Sequence, residues 1–96
     1  MDLPALALGL YKVLMDRCGA TAYWKDDFVR WFTTAEPSWN REFRFQGDLG
    51  FGGKFWRNHG HFYVSCYAED ETQPIRAVMN AVNDELALYP YPKEWA

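Results

Sequence analysis

Ninety-six residues match the size of one folding unit, which disfavours a two-domain enzyme carrying a separate cofactor module. Hydrophobic residues make up 49% and aromatic residues 19%, far too apolar for an intrinsically disordered segment; burying about half of the rings would supply a core without disulfides or metal. Thirteen acids against ten bases leave a formal charge of −3, which argues against a general binder of phosphate backbones.

Along the chain, Asp2 is placed to cap a first helix, Pro4 is tolerated in its first turn, and Leu3, Leu6, Leu10, Val13 and Leu14 recur at helical spacing. This predicts a helix from Leu3 to Arg17, stopped by Cys18-Gly19, with Gly19 suited to the left-handed conformation that follows a helix. Thr21 can cap a second helix ending near Thr34. On it Trp24, Phe28, Trp31 and Phe32 share one face, and Lys25, Asp26 and Arg30 face water. Glu36-Pro37-Ser38 breaks the helical half of the chain from the rest.

From Asn40 the hydrophobic period changes to two. Phe43 and Phe45 alternate with Glu42, Arg44 and Gln46, the pattern of a half-buried strand. Gly47, Gly50, Gly52 and Gly53 then form a glycine-rich loop, allowing a tight, bulged connection in which Phe51 could fold back on the core. A strand resumes over Lys54 to Arg57, and Asn58-His59-Gly60 turns it back into a third strand over His61 to Ala68. In that strand Phe62, Val64 and Cys66 are expected to face inward, with His61, Tyr63, Ser65 and Tyr67 on the other face. Thr72 and Pro74 begin a last helix behind the acids Glu69, Asp70 and Glu71, which complement its dipole. Its apolar stripe is Ile75, Val78, Met79, Val82 and Leu86, and Tyr89-Pro90-Tyr91-Pro92 ends it in an extended tail. The expected fold is α+β over residues 1–96 as a single domain, a three-stranded antiparallel sheet with helices packed on it in the order ααβββα.

Charge is uneven along the chain. Residues 41–67 hold four bases and two acids, and residues 68–96 six acids and two bases, an asymmetry that a solvated acidic helix start and tail explains as well as a charged partner does. Cys18 and Cys66 lie forty-eight residues apart with no secretory signal, so free thiols in a reducing cytoplasm are expected. The apolar run Leu3 to Leu10 lacks a basic flank, is interrupted by Pro4, and falls well short of the roughly 20 residues that span a bilayer, so no membrane association is expected.

Motifs that would carry chemistry fail on spacing. Gly53-Lys54 leads into Phe55 and a strand rather than into Ser or Thr at a helix start, so it is no P-loop. His59 and His61 with Cys66 and Cys18 suggest metal ligands, but alternation sets Cys66 on the face opposite His61. Cys66 follows Val64 on the core face as a buried thiol, and Cys18 ends a helix, where the dipole raises its pKa. The carboxylate groups Asp26-Asp27 and Glu69-Asp70-Glu71 lie in polar stretches that would not shift one of them toward neutrality. The expectation is a protein that is not an enzyme and has no cofactor or metal. A double-stranded RNA-binding domain shares the α-βββ-α core but needs a basic start to its last helix, where this chain has Glu69-Asp70-Glu71.

The second face of the sheet remains. Glu42, Arg44, Lys54, Trp56, Tyr63 and Tyr67 project there, and exposed aromatics interleaved with Arg are enriched where proteins bind proteins. Helix two could cover this face instead, making it a second core layer, and both readings stay open at this point. The stretch Phe43-Arg44-Phe45-Gln46-Gly47, Leu49-Gly50-Phe51-Gly52-Gly53-Lys54-Phe55-Trp56, then Cys66-Tyr67 and Glu69-Asp70-Glu71-Thr72, resembles a family of small open reading frames of tailed bacteriophages and prophages. It covers about a third of the chain, and the family brings no catalytic residues. The resemblance implies phage origin and a host bacterial cytoplasm. Small acidic phage proteins of this kind, anti-CRISPR proteins among them, often inhibit a host machine by binding it. The expected function is therefore an inhibitor that occludes a nucleic-acid or subunit-docking surface of a defence complex, most readily a CRISPR-Cas effector. Arg44, Trp56, Tyr63 and Tyr67 would anchor it, and Glu69, Asp70 and Glu71 would meet a basic groove. The alternatives are a phage structural or accessory protein that self-assembles into a homo-oligomer, and a small nucleic-acid-binding module, which the acidic charge disfavours.

Overall fold

The computed structural model describes residues 2–20, 22–34, 42–46, 52–58, 61–67 and 73–90. Helix α1 spans Leu3–Cys18, a single 3-10 turn covers Ala22–Trp24, and α2 spans Lys25–Thr34. Strands β1 (Glu42–Gln46), β2 (Gly52–Asn58) and β3 (His61–Tyr67) follow, and α3 spans Gln73–Leu86. The order ααβββα is the expected one, and the sheet is an antiparallel meander with β2 in the middle.

The boundaries of α1 follow from local chemistry. The Asp2 carboxylate accepts from the N–H of Ala5 at 3.2 Å, satisfying one of the donors that a helix start leaves open. Gly19 takes φ 70°, and the N–H groups of Gly19 and Ala20 both return to the carbonyl of Leu14, closing the last turn. Leu6, Ala7, Leu10, Tyr11, Val13, Leu14 and Cys18 form the buried face between these caps. Thr21, the expected cap of α2, lies outside the described residues.

All three helices serve one face of the sheet. Phe28 of α2 is fully buried. Its ring meets Tyr11 of α1 at 5.3 Å and stands edge-on to Phe43 and Phe55 of the sheet, both at 5.2 Å. Phe32 reaches Phe62 at 6.0 Å, and Phe55 stacks on Phe62 at 5.6 Å. Each such ring contributes roughly 1.5–3 kcal/mol through burial alone, and each edge-to-face pair about 0.5–1.5 kcal/mol more. The inward residues of the strands are those that alternation selects: Phe43 and Phe45, then Phe55, then Phe62, Val64 and Cys66. Trp31 and Trp24 are half-buried against the same core, and the Trp24 indole N–H donates to the carbonyl of Gln46 at 2.7 Å, tying the start of α2 to the end of β1.

Three features depart from the expected pattern. Gly52 and Gly53 belong to β2 rather than to the preceding loop, paired with Gln46 and Phe45 on one side and with Tyr67 and Cys66 on the other. A Cβ on Gly53 would lie 2.5 Å from the carbonyl oxygen of Ser65 and 2.8 Å from the ring of Phe45, so close approach demands the glycine. Helix α3 buries Val82 and Leu86 and packs Met79 but leaves Val78 39% exposed, and Asn83 and Met79 meet the backbone of β3. From there Asn83 uses both ends of its amide on the edge of β3: its Oδ1 accepts from Val64 N–H at 3.0 Å, and its Nδ2 donates to the Val64 carbonyl at 3.4 Å. This satisfies a sheet edge that would otherwise offer itself to another strand. After α3 the chain does not simply extend away: the Tyr89 hydroxyl donates to the Gly9 carbonyl at 3.3 Å, fastening the end of the chain's last described stretch to α1. Tyr91 and Pro92 lie outside the described residues.

Replacing Gly53 by Ala forces a methyl group against backbone in the middle of the sheet. Urea unfolding of Gly53→Ala is expected to show a loss of about 1–3 kcal/mol. Unchanged stability would mean that β2 does not lie this close to Ser65.

Candidate functional site

Strict alternation on three paired strands gives the sheet a second face that no residue of the buried core occupies. The register sets Glu42, Trp56 and Tyr63 in one row across the strands and Arg44, Lys54 and Ser65 in the next. Trp56 and Tyr63 stack at 5.6 Å with their planes 21° apart, and the Lys54 ammonium sits 5.1 Å from the Trp56 ring centre. His61 stands edge-on to Tyr63 at 6.4 Å at the β2–β3 end of the patch. Trp56 and Tyr63 are half-buried, yet neither is among the hydrophobic residues packed against the core, whereas Trp24 and Trp31 are.

The charges on this face are mutually arranged. Arg44 donates to Glu42 Oε1 through Nε and Nη2, both at 2.7 Å, while Lys54 Nζ lies 3.7 Å from Glu42 Oε2. The hydrogen bonds from Arg44, then the nearby positive charges, hold the Glu42 carboxyl below the ordinary glutamate range. Such exposed pairs add little to stability, the Arg44 side chain being 77% exposed. Their effect is to orient: Glu42 fixes both cations at the rim of the stacked rings. The result is a preformed aromatic patch with an exposed guanidinium beside it, a combination suited to gripping another protein surface at small entropic cost.

Of the residues expected to form the site, Arg44, Trp56 and Tyr63 are brought onto this one face. Tyr67 stands at the end of β3 opposite Gly52, and its side chain lies outside the described set. Glu69, Asp70 and Glu71 likewise lie outside the described residues. Glu42 and Lys54, expected only to share the face, turn out to organise it, which their spacing of two from Arg44 and Trp56 already allowed. Among the charged residues of β2, Arg57 lies on the opposite side: it is only 2% exposed, placed inward by the same alternation that buries Phe55. Its spacing of two from Phe55 is the sequence signal for that inward placement.

The groups weighed for catalysis are placed elsewhere. Asp27 pairs with Arg30 at 2.9 Å on the exposed side of α2. Cys66 is buried on the inner face and His61 is exposed on the outer, so they do not converge. Among the described residues no cluster of three or more His, Cys, Asp or Glu side chains could hold a metal ion, and no helix is long and apolar enough to cross a membrane. Comparison of the chain with protein families, with curated proteins and with solved structures finds no match.

Because the folded-state pKa of Glu42 is lowered, its pairs with Arg44 and Lys54 are intact above the usual carboxylate range and are lost as the pH falls through that lowered value. Side-chain carboxyl NMR is expected to give Glu42 a midpoint below the model-peptide value of ~4.3, and Arg44→Ala to move it up toward that value. An unshifted midpoint in the parent chain would mean that Glu42 does not hold the two cations.

Proposed function

We propose that the chain is a non-catalytic binding protein whose outer sheet face grips a macromolecular partner, and that it acts as a phage-encoded, stoichiometric inhibitor of a bacterial defence complex of the CRISPR-Cas kind. The observation that supports a binding face is the Trp56–Tyr63 stack, held against each other and under Lys54 on the side of the sheet away from the core. Large rings left outside the interior are the usual anchors of protein contacts, and Arg44 beside them adds the other residue type most enriched in such anchors. The phage and anti-CRISPR parts of the reading rest on the motif running from Phe43 to Trp56 and on the chain's size and acidity. In this reading inhibition is occlusion: the inhibitor covers a surface on which the effector docks a subunit or nucleic acid, and no bond is made or broken.

Phage plating on hosts with and without an active CRISPR system, with this gene supplied in trans, tests the reading. Plating is expected to recover only where the system is active and the gene is present, and pull-down from that host is expected to bring down a near-stoichiometric effector. Trp56→Ala combined with Tyr63→Ala should remove both effects, weakening partner binding by more than about 2 kcal/mol, roughly thirtyfold, while the variant remains folded by circular dichroism. Equal plating across every CRISPR type tried rejects the defence target. Self-association without a host partner, or a salt-dependent gel shift with nucleic acid, points to the assembly or nucleic-acid alternative.

A further inference from the structure

We propose that the outer edge of β1 is a self-association site, where a second copy of the chain adds its own β1 antiparallel about a two-fold axis at Phe43 and joins the two sheets into one. Strand β1 pairs with β2 on one side only. Which of its backbone groups point outward follows from the far side of the sheet. There Val64 engages Asn83 with both its N–H and its carbonyl, and Cys66 N–H donates to Met79 Sδ at 3.3 Å, so these residues turn their backbone groups away from β2. Opposed residues of an antiparallel ladder alternate between pairs that exchange both backbone bonds and pairs that exchange none. Val64 faces Phe55 in a pair of the second kind, which leaves Phe55 to exchange its bonds with Phe43 on the other side. Gly53 and Phe45 form the next bonded pair. The backbone groups of Glu42, Arg44 and Gln46 therefore point outward. The Trp24 indole meets that parity independently, since it donates to the Gln46 carbonyl at 2.7 Å from outside the ladder. Among the described residues nothing bonds the outward N–H and carbonyl of Glu42 or of Arg44. At the opposite edge Asn83 already holds Val64, so β1 is the edge left for pairing.

The side chains select both the occupant and the register. Backbone bonds form only where outward-facing residues of the two copies stand opposite each other. Setting Arg44 against Arg44, or Glu42 against Glu42, puts like charges directly across the strands, which is destabilising. Setting Arg44 against Gln46 calls on the carbonyl that Trp24 occupies. A two-fold axis at Phe43 avoids both faults: Glu42 of each copy lies across from Arg44 of the other, and each of these pairs exchanges two backbone bonds. Arg44 can serve a second carboxylate. Its side chain is 77% exposed, and its bonds to Glu42 of its own strand use only Nε and Nη2 of a guanidinium with further donors.

On the inner face the axis sets Phe43 against Phe43 in a pair without backbone bonds, the position where side chains approach most closely. Half-buried Trp31 stands 5.8 Å from the Phe43 ring, so each copy brings an indole to the flank of this new aromatic pair. Because the same strand supplies both halves, the contact is closed and stops at a dimer. This inference stands apart from the partner-binding reading: it uses the edge of the sheet, and Trp56 and Tyr63 keep their place on the outer face.

Sedimentation velocity of the full chain over a dilution series, with amide hydrogen exchange read by NMR, tests the contact. The parent chain is expected to pass from dimer to monomer on dilution. The Glu42 and Arg44 amides should exchange slowly in the dimer and fast in the monomer, while the Phe43 and Phe45 amides, bonded to β2, stay slow in both. Glu42→Lys sets cations against cations across the axis, and Arg44→Glu sets carboxylates against carboxylates, so each variant alone should sediment as a monomer. An equal mixture of the two restores opposite charges at both positions and should recover the dimer. A parent chain that is monomeric at every concentration, exchange at Glu42 and Arg44 that ignores dilution, a dimer that survives in both variants, or a mixture of folded variants that stays monomeric would each overturn the proposal.

Discussion

The ring of Phe28 touches five other aromatic rings, at 5.2–5.9 Å: Tyr11 on α1, Trp31 and Phe32 on its own helix, and Phe43 and Phe55 on the sheet. That junction decides which side of the sheet the helices occupy. A strand paired on both edges offers two faces, and a helix brought to one of them by a fully buried ring cannot also serve the other. Once α2 is fixed through Phe28, α1 follows through Tyr11. Helix α3 lies against the outer edge of β3, where Asn83 hydrogen-bonds both the N–H and the carbonyl of Val64. That Trp56 and Tyr63 stand outside the core among the described residues is thus a consequence of how the core closes.

The rings are divided between the two faces of the sheet. Phe43, Phe45, Phe55 and Phe62 face inward and hold the fold; Trp56 and Tyr63, one position out of phase with them, face outward and hold each other. The amphipathic choice is visible in the residue types: the inner rings are purely apolar, whereas the outer ones carry an indole N–H and a phenol hydroxyl that tolerate water at one end. Arg44 and Lys54 extend the same logic, with long stems beside the rings and charged heads pinned by Glu42.

Much of this was legible in the sequence, and the rest was not for identifiable reasons. The cap at Asp2, the stop at Gly19 and the alternation of all three strands are local patterns, and local patterns survive into the structure. Three-dimensional coincidences do not announce themselves in this way. Four glycines within seven residues read as a loop, and nothing near Gly53 in sequence shows that the Ser65 carbonyl and the Phe45 ring arrive there. Val78 fits an apolar stripe but is exposed, and nothing near Asn83 in sequence shows that its amide meets the Val64 backbone on the edge of β3. For the candidate site the period of two was sufficient to gather Arg44, Trp56 and Tyr63. Whether helix two lay over them was a question of packing, answered by Phe28.

The central claim is that the rings on the two faces do different work, and side-by-side urea unfolding of Phe28→Ala and Trp56→Ala tests it most directly. Loss of Phe28 should cost about 3–5 kcal/mol, the range for emptying a buried aromatic site. Loss of Trp56 should cost about 1 kcal/mol or less, the worth of a cross-strand pair at a surface. Comparable losses from the two substitutions would contradict the account, since Trp56 would then be part of the interior and the outer face would have no anchor to offer.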